Sequence, residues 1–301
     1  MTVVFSIPEI SLHPNEINQN NCLFSILIPS WNNLELLKLC VNSIEKNSHY
    51  KHQLIIHVNE STDNTLEWVK SKGFDYSFSA ENAGVCASLN AASKLVQTQY
   101  IVYLNDDMYV CPEWDAHLYI CIQNRNDDLF YYSATMIEYE LSKSKAVLSP
   151  YHFGNMPQNF NEKALLDFVR NDLKSHDWFG SCWPPSICSK RVWDAVGGYD
   201  ENFSPGFYSD PDFGMKCWQL GIRDFRGIGK SLVYHFKSKS TQRVIRNNGR
   251  KLFAQKWGLP ASYFYNQMLQ MGTEFTTEKT LKLTKNLSYW LARFKANYWV
   301  K

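Results

Sequence analysis

The sequence predicts an α/β fold with a mostly parallel central sheet flanked by helices, followed by a helical carboxyl-terminal extension. Two patterns carry this expectation. Short, continuous apolar runs, as strands buried on both faces require, alternate with longer segments of helical period. The runs also close on Ser, Asn or Asp, residues that suit the turn into a following helix.

Residues 1–21 read as a polar leader, because NEINQNN has no apolar period. CLFSILIPS, from Cys22, reads as a buried strand ended by Pro29. WNNLELLKLCVNSIEKN reads as a helix, with Leu34, Leu37, Val41 and Ile44 at helical spacing and Asn32 or Asn33 as its cap. QLIIHV is a second strand. NESTDNTLEWVKSKG follows as a helix capped by Ser61 or Thr62 and stopped by Gly73. FDYSFS is a short third strand, NAGVCASLNAASKLV a helix beginning near Asn82, and QYIVYL a fourth strand. This rhythm implies βαβ units with right-handed crossovers, whose ligands sit outside the carboxyl ends of the strands. Ser30, Asn59, Asn82 and Asp107 all fall at those ends.

The second half is less regular. DDLFYYSATMIEY and PPSICSK read as strands, NEKALLDFVRNDLK and SKRVWDAVGG as helices, and the chain turns basic and helical after Tyr234. Near its end, Leu287, Trp290, Leu291, Phe294 and Tyr298 recur at helical spacing beside Lys285, Arg293 and Lys295, which describes an amphipathic basic helix. Docking on the main body of the chain or on a partner subunit is the expected use of its apolar face, with contact to an anionic membrane as the alternative.

Composition removes several function classes. With 31 basic and 29 acidic side chains, the net charge of +2 offers no electrostatic case for nucleic acid. The 45% hydrophobic content supports a compact chain, long enough for one large domain or two smaller ones. Eight scattered cysteines without a CxxC pair suggest reduced core residues in a cytoplasmic protein. The amino terminus has no basic region leading into an apolar core, and no run reaches the roughly 18 apolar residues of a span, so the expected placement is cytoplasmic, at most peripheral on the inner face of a membrane.

YLNDDMYV, residues 103–110, sets two carboxylates together where a strand ends. They are either exposed turn residues or ligands of a divalent ion, which would relieve their mutual repulsion and leave positions open for substrate phosphates. Read alone, YSDPDFGMKCWQLG starts a helix, with Asp210 as cap, Pro211 at the first helical position and Gly221 as stop. DWFGSCWPP gathers Trp178, Phe179 and Trp183. Trp183 is the best candidate for an aromatic platform under a ligand ring, although core packing explains these aromatics equally well.

Taken in order, SILIPSWNN, VNESTDNT, ENAGVCASLNAA, YLNDDMYV, VGGYDENF and FYSDPDFGMKCWQLG resemble the family-2 glycosyltransferases of the GT-A-like, Rossmann-related fold over roughly residues 22–240. The resemblance implies a nucleotide-binding half over 22–110, an acceptor-binding half over 111–240 and a helical extension over 241–301. It implies an inverting, metal-dependent enzyme that takes Mn2+ or Mg2+ and a nucleotide-sugar donor, UDP-linked first and GDP- or dTDP-linked as alternatives, with a glycan or lipid-linked saccharide as acceptor. Asp107 and His235 would hold the ion. Pro29, Ser30, Asn59, Asp63, Asn82, Gly84, Asn105 and Asp106 would face the nucleotide, with Asp63 as a helix cap instead being equally open. Asp210 would be the general base and Asp212 would take the helix-start role. Lys237 and Lys239 would either meet the diphosphate or form a solvated loop. HVNEST departs from the family pattern, since His57 and Val58 stand where an acidic residue is expected and Glu60 replaces a glycine, which leaves the nucleobase open. A non-catalytic nucleotide- or carbohydrate-binding protein and a sugar nucleotidyltransferase are the rival readings. The latter lacks support because IPSWNNLELL has no Gly-rich phosphate loop.

Overall fold

The computed structural model describes residues 6–15, 21–171, 175–238, 247–277 and 279–300. The chain begins with β1 (Ser11–His13), β2 (Phe24–Trp31), α1 (Leu34–Asn47), β3 (Gln53–Asn59), α2 (Thr65–Lys72), β4 (Asp75–Ser79), α3 (Gly84–Ser93) and β5 (Tyr100–Tyr103). It continues through β6 (Met108–Val110), α4 (Trp114–Gln123), β7 (Phe130–Glu138), β8 (Val147–Leu148), α5 (Glu162–Asn171), β9 (Trp178–Phe179), β10 (Ser186–Ser189) and α6 (Lys190–Val196). α7 (Ser209–Gln219), β11 (Asp224–His235), α8 (Gly249–Trp257), the single turn α9 (Ala261–Tyr263) and α10 (Leu287–Val300) complete it.

One sheet holds these strands in the order β1-β4-β3-β2-β5-β10-β7-β11-β6, with the two-residue strands β8 and β9 pairing off this path with β7 and β11. β4, β3, β2 and β5 run parallel, as the βαβ rhythm requires. β7 and β11 are parallel as well, so the sheet is mostly parallel as the sequence suggested, but it is mixed and not strictly parallel. β10 runs antiparallel to both β5 and β7, and β6 antiparallel to β11. The physical reason is how β10 is fed. Loop residues 180–185 deliver the chain to the carboxyl end of β5, where Ser186 pairs with Tyr103, so β10 can only run back down the sheet without a crossover helix.

Strand alternation sorts the core into two layers. Ile26 and Ile28 of β2 point to the face covered by α1 and α4, where Leu37, Val41, Trp114 and Leu118 are buried with them. Leu27, between them, points to the other face and joins Leu89 of α3, Val192 of α6 and Phe213 of α7.

Two local expectations change. Pro29 lies inside β2 and does not end it. The Leu27 carbonyl accepts from the Leu104 amide at 3.0 Å, so Pro29, two residues on, faces the same side beyond the last β5 pairing, where its missing N–H costs no ladder bond. The leader also contributes structure, because β1 pairs antiparallel with β4 and His13 stacks on Tyr76 with ring centroids 4.4 Å apart. Three residues with exposed side chains give no alternation that a sequence reading could detect.

Candidate active site

A cleft of about 550 Å³ opens at the carboxyl ends of β2, β3 and β5, and residues from all three strand ends line it. Ser30, at the end of β2, donates its hydroxyl to Asp106 Oδ2 at 2.8 Å. Asn59, at the end of β3, organises the adjoining loop. Its Oδ1 accepts from the Ala83 amide at 2.8 Å, and its Nδ2 reaches the Ser88 hydroxyl at 3.2 Å. Asn82 Oδ1 accepts from the Gly84 amide at 2.9 Å. Gly84 opens α3 at φ +72°, a left-handed conformation that favours glycine, so the tight entry to this helix depends on it. Asn105 also lines the cleft, and its carbonyl accepts from the Cys40 thiol at 3.6 Å.

The acidic pair is not an exposed turn: Asp106 is 8% and Asp107 6% accessible. Strand register brings His235 to it. His235 pairs with Glu138 of β7 on one side and with Met108 of β6 on the other, one residue after Asp107. The ring Nδ1 lies 2.9 Å from Glu138 Oε1, and Nε2 lies 3.5 Å from Asp107 Oδ2. The Asp107 carboxylate also accepts from the Ser238 amide at 2.7 Å, and its carbonyl from the Phe236 amide at 3.0 Å. Burial opposes charge on both groups, but each outweighs that for the other. His235 is pushed up to about 9 by Asp107 and Glu138, and Asp107 is held below the usual carboxylate range by His235 and Ser238.

This donor set fits a divalent ion. Glu138 engages Nδ1, which leaves Nε2 directed at the Asp107 carboxylate; a carboxylate on the far ring nitrogen is the partner that commonly orients a metal-ligating histidine. Among the described residues no group of three His, Cys, Asp or Glu side chains could hold an ion unaided, so the remaining ligands would be substrate oxygens and water. Lys237 closes this side of the cleft, with Nζ 2.9 Å from Glu140 and 3.5 Å from Glu138. Lys239 lies outside the described residues.

Asp210 lines the same cleft from the first turn of α7. It is not the cap that local sequence suggested. The helix begins at Ser209, and the cap position belongs to Tyr208, in the left-handed conformation at φ 70°. The Asp210 carboxylate is therefore not spent on the helix amides. Burial pushes it up to about 7, against a 3.4 Å hydrogen bond from the Tyr199 hydroxyl. Asp212 has a structural role, though not as a helix start. Its oxygens accept from Trp257 Nε1 at 2.7 Å and Lys256 Nζ at 2.9 Å, tying α7 to α8.

Two expected nucleotide or sugar contacts lie elsewhere. Asp63 is absent from the cleft lining. It accepts from the Leu34 amide at 2.8 Å and the Thr65 amide at 3.1 Å, so it serves the amino ends of both α1 and α2. Trp183 is also absent from the lining and packs half-buried against the core, with Nε1 3.3 Å from the Tyr265 hydroxyl. His57, the departure noted in HVNEST, faces the interior. It is fully buried and pushed down to about 4 by that burial, and its Nδ1 lies 2.8 Å from the Ser77 hydroxyl. Sequence reasoning missed Glu138 and Ser238. Glu138 had a signal, an acid closing the apolar run FYYSATMIE just as Asp106 and Asp107 close theirs. Ser238 acts through its backbone amide, which no side-chain pattern announces.

Comparison with known proteins follows this geometry. The sequence matches the family described as "Glycosyl transferase family 2" over residues 25–181, just over half of the chain. That span includes Asp106 and Asp107, while Asp210 and His235 lie beyond it. No curated protein sequence matches the chain. Among solved structures, residues 1–349 of S. aureus TarS in complex with UDP-GlcNAc superpose with a TM-score of 0.55 at 15% identity, covering 78% of this chain and 66% of that one. S. aureus TarS gives 0.54 at 14% identity, covering 93% and 49%. GalNAc-T7 with UDP, GalNAc and Mn2+ gives 0.54 at 15% identity, covering 93% and 55%. The chain thus spans between about half and two thirds of the length of these structures. Their likeness shows the GT-A-like fold.

Proposed function

This chain belongs to glycosyl transferase family 2 and is a glycosyltransferase, and from that premise we propose that it moves a sugar from a nucleotide-diphosphate donor to a hydroxyl of a glycan or lipid-linked acceptor. One observation carries the reading: Asp106, Asp107, His235 and Asp210 line a single cleft at the carboxyl ends of the strands. UDP is the favoured nucleotide, because solved structures of this fold hold UDP or UDP-GlcNAc.

Asp107 and His235 would hold a divalent ion, with Glu138 fixing the imidazole so that Nε2 faces the site. When bound, such an ion supplies positive charge where negative charge gathers on the departing diphosphate. Lys237 adds a cation on the same side of the cleft. Ser30 and Asn59 hold Asp106 and the Ala83 loop in place against the nucleotide.

Asp210 acts as the general base. Its carboxylate accepts the proton of the acceptor hydroxyl as that oxygen forms a bond to the anomeric carbon and the bond from that carbon to the phosphate oxygen breaks. A carboxyl raised to about 7 is well matched to this task near neutral pH. A single displacement of this kind inverts the anomeric configuration. The test is turnover of a panel of UDP-, GDP- and dTDP-sugars with and without Mn2+. The proposal expects Mn2+-dependent transfer or donor hydrolysis, lost in Asp210→Asn while nucleotide binding persists. Turnover indifferent to the metal, or undiminished in Asp210→Asn, would refute it.

A further inference from the structure

We propose that α10 docks the chain on an anionic lipid surface. Leu287, Trp290, Leu291, Phe294 and Tyr298 are 58–75% exposed. At 100° per residue all five fall within about 100° of arc, so they form one stripe along the helix. The helix is held to the molecule by its opposite side, where Tyr289 and Ala296 are buried and α8 packs against it. The face that the sequence marked for internal docking is therefore turned outward, which singly exposed apolar residues would not require explaining but a continuous stripe does.

Charge selects the occupant. Residues 279–301 carry Lys279, Lys282, Lys285, Arg293, Lys295 and Lys301 and contain no Asp or Glu. Lys282 and Lys285 are exposed just ahead of the helix, and Leu281, beside them, is buried and anchors the segment. A second copy meeting this stripe in a two-fold contact would bring like charges together. An anionic bilayer complements them, and the Trp and Tyr rings suit its interface. The helix has 14 residues and no described helix is long and apolar enough to cross a membrane, so α10 would lie in the plane of the surface.

Contacts run from this helix to the cleft. α10 rests on α8, and the amino end of α8 abuts the cleft rim so closely that a Cβ on Gly249 would lie 2.2 Å from the Phe207 carbonyl oxygen. Docking would thus keep the cleft rim close to the lipid, where a lipid-linked acceptor could reach it; this consequence alone rests on the proposed function.

Co-sedimentation of the full chain with phosphatidylglycerol/phosphatidylcholine vesicles, against phosphatidylcholine alone, tests the proposal without any substrate, so its failure is distinct from failure of the glycosyl-transfer reading. Binding is expected on the anionic vesicles only. It should weaken at least tenfold in Trp290→Ser/Phe294→Ser and in the surface variant Lys282→Glu/Lys285→Glu, with melting temperature and nucleotide binding unchanged. Absent binding, equal binding to neutral vesicles, or binding that survives both variants would overturn it. So would a solution dimer that dissociates in Trp290→Ser/Phe294→Ser.

Discussion

Burial raises the Asp210 carboxyl to about 7, and the sign of that shift has two measurable consequences. The folded chain holds this proton more tightly than the unfolded chain, so stability falls as pH rises from about 4 through 7, and the cost is fully present above 7. Asp210→Asn removes that cost. Its melting temperature should exceed the wild type's at pH 8, and the gap should close near pH 4. The same substitution should lower kcat by about 10²- to 10⁴-fold, and the acid limb of wild-type kcat/KM should fall near pH 7. A variant less stable than wild type at pH 8 would contradict this reading of Asp210. The positions of Asp107 at a strand end and of Asp210 at the start of a helix were legible in the sequence, because each depends on neighbouring residues; the cap role read for Asp210 was not, since Tyr208 holds that position. Asp63 was only half legible, because the amide it caps at Leu34 lies 29 positions away. Trp183 shows the limit, since an aromatic side chain looks the same in sequence whether it meets a sugar or Tyr265.

Among the elements, the junction of α7 and α8 links stability to the Asp210 carboxylate. Asp212 is buried in the first turn of α7, two residues after Asp210, and its partners Lys256 and Trp257 end α8. Asp212→Ala would leave the Trp257 N–H without its acceptor, at a cost of about 1–3 kcal/mol. It should also reduce kcat more than it changes nucleotide affinity, because the turn that carries Asp210 loses its tether. A denaturation curve together with a separate kcat and Kd measurement checks this, and an equal loss in nucleotide binding would contradict it. The parallel strands and their helices could be read from periodicity because each βαβ unit is written in contiguous residues. β10 could not be oriented that way. Its direction follows from which end of β5 the chain reaches, a consequence of where loop 180–185 lies in space.

For the whole molecule, one continuous sheet with a core layer on each face carries both the strands whose ends open the cleft and the helix α7 that brings Asp210 to it. β11 closes the arrangement by carrying His235 back to the acidic pair, a meeting of residues separated by more than a hundred positions. That separation is why the sequence joined His235 to Asp107 only through family resemblance, while register in the folded sheet explains how they meet. The central claim is that this pair holds a divalent ion on the donor's diphosphate. Calorimetric titration of UDP, GDP and dTDP into wild type and Asp107→Ala, each with and without Mn2+, measures it most directly. The wild type should bind at least one nucleotide tenfold or more tightly with Mn2+, and Asp107→Ala should lose that enhancement while keeping its fold. Equal enhancement in Asp107→Ala, or none in the wild type with any of the three, would contradict the claim.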